Sequence, residues 1–402
     1  MADTNHPDPR EAWMWRNVPD AALRQINSTS LSPSDALVSS TSGSELVCSY
    51  NWKNCDGAEI HIPGHAPIWQ DIPLPITLQK DEGTYFIDQN ASRVPEFPFE
   101  PLFRATASMN PSFRFEDVDV LVNRNSLRKL LDFSARRHQD SFRINLHLVG
   151  RTLVVERCER SARELIRGSQ NTGFGRRFEA AFTKHPAGLE DSAAHHRALK
   201  YQLGNLTCVV RFEVDACYRQ DDDDTDVMTS SMELLSMGNS AGGGAKGGKG
   251  KGAAAKEVEA TDTGGPSLAT APMAQSLAAE IKTAKVGKSK SVGSFMPQLW
   301  FGRTPWLISG RHTGGCFTEV KFTDTGSQFG DWEDRQQTNL RKLVTVLDQL
   351  RGAVEANGGG HCVAICEKAT APPVIRVFPS TVDRKAVPDD LRRRLWNPTS
   401  SS

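Results

Sequence analysis

The chain has 402 residues, enough for one large domain or two ordinary ones, and its 48 basic and 48 acidic side chains leave no formal net charge. A neutral chain argues against binding nucleic acid through overall positive charge, although a local basic channel stays open. No segment reaches the roughly 18 apolar residues that a membrane span needs, so we expect no membrane partner. Eight scattered cysteines fit reduced thiols, which predicts a location in the nucleus and/or cytoplasm.

Taken in chain order, residues 1–45 are rich in Ser, Asp, Asn and Pro and are predicted to form a flexible N-terminus. Leucines at helical spacing predict a helix over 125–137, and strict alternation of apolar residues predicts a strand over 141–149. The run 205–217 is apolar and β-branched, which is typical of a central strand.

The second half opens with a change of composition. Residues 219–295 begin with an acidic run and continue with Gly, Ala and Lys, which predicts a disordered low-complexity insertion. Order is predicted to resume with a strand pair or a bent strand over 298–309. A strand over 314–322, a long helix over 332–353 and two strands near 361–367 and 373–378 follow, and 391–402 is predicted to be a tail.

Three acidic clusters carry the candidate chemistry. Glu179 lies on a predicted helix, Glu213 and Asp215 share one face of a strand, and Glu319 shares a strand face with Lys321. Carboxylates on central strands need a neutralising partner, and hard oxygen ligands suit Mg²⁺ or Mn²⁺. A lysine beside a metal can orient water or stabilise charge on a phosphate. The alternative is structural, with Glu213 and Glu319 paired to Arg211 or Lys321 as strand charges.

The order helix-Glu, strand Glu-x-Asp, strand Glu-x-Lys, helix, strand resembles the core of the PD-(D/E)XK nuclease superfamily. Four blocks also resemble the DXO-type RNA decapping nucleases: VLVNRNSLRKLL, GFGRRFEAAF, LTCVVRFEVDAC and CFTEVKF. The blocks keep the family order over about 118–380. The resemblance implies an α/β fold with a mixed central β-sheet flanked by helices. It further implies a single nuclease-like domain formed by 46–218 and 296–390.

The resemblance also implies residue roles. Glu179, Asp215 and Glu319 would be the main ligands of Mg²⁺ or Mn²⁺, and Glu213 would help hold a second metal. Lys321 would position the attacking water or the scissile phosphate. The family's helix glutamine is matched by Gln349, with Asp348 as its neighbour. The residues expected to contact RNA are Arg124, Arg176 and Arg177.

The function so implied is hydrolysis of phosphodiester or pyrophosphate bonds at RNA 5′ ends, namely incomplete, triphosphate or NAD caps. The resemblance also implies 5′–3′ exoribonuclease activity. It gives two candidate partners, RNA 5′ ends and a 5′–3′ exoribonuclease. Three departures put substrate choice in doubt. Asp215 and Glu319 lie 104 positions apart, the arginine block reads Asn-Arg-Asn, and the helix after the Glu-x-Lys strand lacks the family's aromatic pair. Two other functions stay open, a catalytically silent RNA- or exonuclease-binding module and a DNA nuclease of the same superfamily.

Overall fold

The computed structural model describes residues 9–166, 173–219, 258–262, 272–288, 290–368 and 370–396. Within these ranges the α-helices are α1 (Gln89–Arg93), α2 (Glu100–Met109), α3 (Arg124–Ser134), α4 (Gly175–Phe182), α5 (Met296–Phe301), α6 (Phe329–Ala356) and α7 (Asp389–Leu395). The strands are β1 (Arg24–Asn27), β2 (Glu45–Lys53), β3 (Glu59–Ile62), β4 (Ile68–Trp69), β5 (Ile76–Thr77), β6 (Gly83–Phe86), β7 (Val120–Asn123), β8 (Phe142–Val149), β9 (Thr152–Cys158), β10 (Arg163–Ile166), β11 (Thr183–Lys184), β12 (Ser192–Leu203), β13 (Leu206–Glu213), β14 (Ala216–Cys217), β15 (Glu259–Asp262), β16 (Ala278–Lys285), β17 (Trp306–Thr313), β18 (Cys316–Asp324), β19 (Cys362–Cys366) and β20 (Val374–Pro379).

The larger sheet has the strand order β1-β20-β19-β8-β9-β7-β13-β12-β2-β3-β15 in the described part of the chain. It is mixed, because β7 runs parallel to both β9 and β13 while β8 and β9 form an antiparallel hairpin. Successive residues of β7 point to opposite faces, as strand geometry requires. Val120 and Val122 pack into one core and Leu121 into another.

Helices cover both faces of this sheet. On one face, Leu127 and Leu131 of α3 and Leu343 and Leu347 of α6 are fully buried in the first core. On the other face, the second core holds apolar residues of α2 and α7, among them Phe103 of α2. The α/β fold class with a mixed sheet and flanking helices is thereby confirmed. The predicted long helix is also confirmed, because α6 contains the whole of 332–353.

The smaller sheet has the order β11-β4-β14-β16-β17-β18-β5 in the described residues. Its apolar face packs against α4, where Phe178 and Phe182 meet Ile281 and Ile308. The chain crosses from one sheet to the other directly after β13, since β13 belongs to the larger sheet and β14 pairs with β16 in the smaller one.

Three predicted boundaries need correction. The N-terminal segment 1–45 contains β1, which pairs with β20, and buried side chains such as Met14 and Val38. The insertion 219–295 contains β15 and β16, although most of it, 220–257 and 263–271, lies outside the described residues. The tail 391–402 begins inside α7, and Trp396 after it is 2% exposed. Average composition hid these elements because each is short.

No helix among the described residues combines the length and the apolar character needed to cross a membrane.

Candidate active site

The site forms where the chain leaves one sheet for the other. Glu213 is the last residue of β13, and β14 begins at Ala216, so Asp215 lies in the crossing. On β16, β14 pairs with Ala278 and Ala279, and in the described part of the chain the strand pairing on that side of β16 ends there. The Asp215 carboxylate takes that place, since its Oδ2 accepts a hydrogen bond of 2.9 Å from the backbone N–H of Ile281.

β16 contributes a carboxylate and an ammonium group from one face. Glu280 and Lys282 are two positions apart on the strand and so point the same way. The Glu280 side chain is only 3% exposed, and the Lys282 Nζ donates a hydrogen bond to its Oε1. The same Nζ lies 3.9 Å from Oδ2 of Asp215. Lys282 therefore bridges the carboxylates of β16 and of the crossing.

α4 brings Glu179 to the same place. Phe178 packs on Gly310 of β17, where a Cβ atom would lie only 2.5 Å from the phenylalanine ring. The first turn of α4 is capped from outside the helix, because the Asp81 carboxylate accepts the backbone N–H of Arg177 at 3.0 Å. Anchored at both points, α4 turns Glu179 toward Asp215 and Glu213, which dominate its electrostatic environment after burial.

Crowded negative charge marks this cluster. Burial, and then repulsion from Asp215 and Glu213, holds the pKa of Glu179 well above its usual range. Burial raises the pKa of Asp215 to about 8, and Glu280 adds to the rise. Glu213 reaches solvent, yet desolvation in its recess raises its pKa as well.

Glu280 and Lys282 behave as an ion pair. Burial opposes the charged form of Glu280, but Lys282 and Arg124 outweigh it and lower the pKa of Glu280. Burial likewise opposes the charged form of Lys282, but Glu280 and then Asp215 raise its pKa overall. Lys282 and Arg124 thus partly neutralise a set of four carboxylates, and the remaining negative charge favours a bound cation.

Two further side chains hold Glu280. Gln298 of α5 donates its amide N–H to Oε1, and its own carbonyl oxygen accepts from Arg128 Nη1 at 3.1 Å. Arg124, the first residue of α3, places Nη1 3.3 Å from Oε2 and its guanidinium 5.3 Å from the centre of the Phe212 ring. Both of these atoms, Glu280 Oε2 and Arg124 Nη1, are buried without a well-formed hydrogen bond.

The chemistry of this donor set fits a hard divalent cation. The four carboxylates are Glu179, Glu213, Asp215 and Glu280, which offer only oxygen ligands. The pKa values of Glu179, Glu213 and Asp215 are raised, so the protein does not offset the charge of these three carboxylates, and Glu280 Oε2 has no well-formed hydrogen bond to lose. In the ranges described, no three His, Cys, Asp or Glu side chains already surround a single point at ligand distance. Small rotations of these carboxylates would therefore accompany binding.

The structure does not bring Glu319 and Lys321 into the cluster, which corrects their predicted placement. Both lie on β18 and are exposed; Glu319 faces Arg311 at 3.7 Å. On neighbouring strands, Lys321 is paired with Ser309 and Ser309 with Lys282. Two strand spacings, about 10 Å, therefore separate the backbones at the two lysines. The pattern Glu-x-Lys that meets Asp215 is Glu280-Ile281-Lys282. The sequence shows this pattern through the same two-residue spacing of Glu and Lys. It lies near the end of 219–295, the segment that was assigned to the insertion.

Gln349 also lies elsewhere. It lines a separate recess of about 520 Å³ between the N-terminal segment and α6, together with Arg24, Asp35 and Thr345. The glutamine beside the carboxylates is Gln298, within the segment that was predicted to be a strand. A helical turn at Met296–Phe301 presents it, which the short pattern MPQLWF did not reveal.

The predicted arginines divide. Arg124 lies within the cluster, as described above. Arg176 is exposed and stacks 4.0 Å from the centre of the Tyr85 ring, and its charge lowers the pKa of Glu213, although desolvation raises that pKa overall. Arg177 points away and lies 3.3 Å from Glu82. Only the first two are placed to act at the carboxylates.

Comparison with solved structures defines the class of fold. The crystal structure of S. pombe Rai1 matches with a TM-score of 0.54 at 11% identity, covering 88% of this chain and 99% of that chain. Scheffersomyces stipitis Rai1 matches with a TM-score of 0.54 at 11% identity, covering 92% and 99%. Candida albicans Rai1, solved in complex with pU5-Mn²⁺, matches with a TM-score of 0.53 at 12% identity, covering 93% and 97%. The fold is DXO/Rai1-like, as the sequence resemblance predicted.

The family of the chain is also established. A family model described as "Domain of unknown function (DUF8563)" matches residues 20–396, and the chain belongs to that family. No curated protein matches the sequence.

Proposed function

We propose that this protein is a divalent-metal-dependent hydrolase that cleaves phosphodiester or pyrophosphate bonds at RNA 5′ ends. The observation that carries the proposal is the convergence of Glu179, Glu213, Asp215 and Glu280 beside Lys282, with the pKa of three of these carboxylates raised. The DXO/Rai1-like fold supports it, and C. albicans Rai1, which has that fold, was solved with pU5 and Mn²⁺.

In this proposal the four carboxylates hold Mn²⁺ or Mg²⁺, which when bound polarises the phosphate and activates water. Lys282 orients the attacking water or a phosphate oxygen from its position between Glu280 and Asp215. Arg124 grips the 5′ phosphates, since its buried Nη1 has donor capacity to spare. Arg176, which stacks on Tyr85 and acts electrostatically on Glu213, is the second arginine that contacts the substrate.

The proposal extends to the finer activity. We assign the substrates to incompletely capped, triphosphate or NAD-capped RNA, with 5′–3′ exoribonuclease activity on the RNA body and an exoribonuclease as partner. The protein would act in the nucleus or cytoplasm. All eight cysteines are free, consistent with a reducing compartment.

The test uses the full-length chain with Mn²⁺ and four substrates of one sequence: triphosphate RNA, unmethylated-cap RNA, NAD-capped RNA and single-stranded DNA. We expect release of the 5′ moiety from at least one RNA, and its loss on chelation or in Asp215→Asn. Mn²⁺ should also raise the midpoint of thermal unfolding of the wild type but not of Asp215→Asn, because a ligand that binds the folded state stabilises it.

The outcomes separate the alternatives. RNA binding without hydrolysis or metal stabilisation would favour a silent binding module. Equal cleavage of the DNA would favour a DNA nuclease.

A further inference from the structure

A second recess, of about 500 Å³, lies beside the carboxylates on the side of α3 and α6. We call it the arginine recess. Its basic lining residues are Arg128, Arg137 and Arg335. Asp132, Trp332 and Gln336 also line it. Gly293, Ser294 and Pro297, just before Gln298, complete the wall.

The charge of the arginine recess is positive. Asp132 is the single acidic residue of its lining, against three guanidinium groups. Arg137 lies 3.1 Å from Asp132 and donates at 2.7 Å to the Gln336 side chain, which holds its guanidinium in place. Arg335 is exposed one residue before Gln336 on α6. A planar guanidinium binds phosphate through two parallel hydrogen bonds, so the recess suits a phosphate chain.

The arginine recess is connected to the carboxylate cluster. Arg128 lines the recess and also donates to Gln298, whose amide holds Glu280. One side chain, Gln298, thus links the wall of the recess to Glu280, so the recess lies next to the place where the terminal phosphate would bind under the proposed function. The recess offers little aromatic surface for a base or cap nucleoside, because Trp332 is 5% exposed and packs on Trp300 with ring centres 5.4 Å apart.

We propose that the arginine recess binds the phosphodiester backbone of single-stranded RNA, next to the 5′ end that is cleaved. This inference rests on the proposed function. It predicts contacts that are independent of sequence and weaken with salt, and that only a substrate several nucleotides long can reach.

The test compares the double variant Arg137→Ala, Arg335→Ala with a matched control, Arg392→Ala, Arg393→Ala, two exposed arginines of α7. Arg128 is left intact because it supports Gln298. Each protein is assayed on an RNA of about 20 nucleotides and on a capped dinucleotide. We expect KM for the long RNA to rise about tenfold in the recess variant only, and the salt slope of binding to fall by about one to two. KM for the dinucleotide should not change.

Unchanged KM for the long RNA would overturn the inference, and so would an equal loss on the dinucleotide, which would assign the recess to the 5′ moiety. Fluorescence anisotropy of the same RNA keeps the two proposals separate. If the wild type hydrolyses nothing, the proposed function fails, yet weaker RNA binding by the recess variant alone would still support the recess. Thermal unfolding of both variants shows whether each is folded.

Discussion

Gln298 joins two charged side chains that belong to different elements. Its amide N–H meets Glu280 on β16, and its carbonyl oxygen meets Arg128 on α3. With both ends engaged, the side chain has one orientation, and Glu280 is held through Oε1, while Oε2 has no well-formed hydrogen bond and only the ion pair with Arg124 at 3.3 Å. Supporting hydrogen bonds of this kind fix the direction of a metal-binding carboxylate.

We therefore expect Gln298→Leu, which keeps the size but removes both polar ends, to lower kcat about 10- to 100-fold. Steady-state hydrolysis of the preferred RNA is the measurement. The matched control is Gln349→Leu, since Gln349 lines the separate recess and should leave kcat unchanged. Equal effects of the two variants would contradict this role for Gln298.

At the residue scale, the sequence predicts three of the four carboxylates of the cluster. Glu179, Glu213 and Asp215 converge as expected because they lie on, or directly after, strongly patterned elements, namely α4 and β13. The sequence points to Glu319 because Phe317 and Phe322 make β18 look like a buried strand, whereas Glu280 falls within 219–295, the segment assigned to the insertion. β16 carries alanine and threonine instead, and its central place depends on partners far away in sequence.

At the scale of elements, the position of α4 depends on the absence of a side chain at Gly310 of β17. Phe178 fills the space above Gly310, and ring contacts with Phe182 and Phe317, at 4.3 and 4.6 Å between ring centres, lock it there. Since Glu179 follows Phe178 directly, any displacement of this ring moves the carboxylate. Glycine on β17 is thus part of how the site is built.

Gly310→Ala should displace Phe178 and lower the free energy of unfolding by about 1–3 kcal/mol, the usual result of overpacking a core. Hydrolysis should fall with it, because Glu179 moves. Gly330→Ala, at a helical position with open space around the added methyl group, should change stability by less than about 1 kcal/mol. Denaturant unfolding measures the free energy of unfolding of both variants. If that of Gly310→Ala equals the wild-type value, this packing account is wrong.

The sequence predicts long or strictly alternating elements well. α6 and β8 follow directly from their periodicity. α5 was predicted as a strand because six apolar-rich residues do not distinguish the two periods. The packing of Leu299 and Trp300 into the first core selects the helix, and that information is not local.

At the scale of the whole molecule, the fold buries some side chains at strand positions that the alternating pattern predicts to be polar and exposed. His147 alternates with apolar residues on β8, yet it is 4% exposed. It stacks on His361 with ring centres 4.3 Å apart, and it faces Glu156, whose carboxylate is engaged by Arg384 of the C-terminal segment. Burial, and then the charge of Arg384, lowers the pKa of His147 to about 3.

This burial predicts acid sensitivity. Below about pH 6.5 the unfolded chain gains a proton at His147 that the folded chain does not, so the free energy of unfolding falls as pH falls toward 3. From pH 7 to pH 5 the loss should reach about 2 kcal/mol for this residue. Urea unfolding at pH 7 and at pH 5 measures this effect. Between the two pH values, His147→Gln should lose about 2 kcal/mol less free energy of unfolding than the wild type. Equal pH dependence in the two proteins would show that His147 does not contribute.

The most direct measurement is hydrolysis of 5′-triphosphate, unmethylated-cap and NAD-capped RNA with Mn²⁺ by the wild type, Glu280→Gln and Glu319→Gln. The variants make the same change in the two Glu-x-Lys patterns, one beside Asp215 and one exposed on β18. We predict that Glu280→Gln loses activity at least about 100-fold, the scale of removing a group that acts at the transition state. Glu319→Gln should match the wild type. Activity that survives in Glu280→Gln and disappears in Glu319→Gln would contradict the site described here.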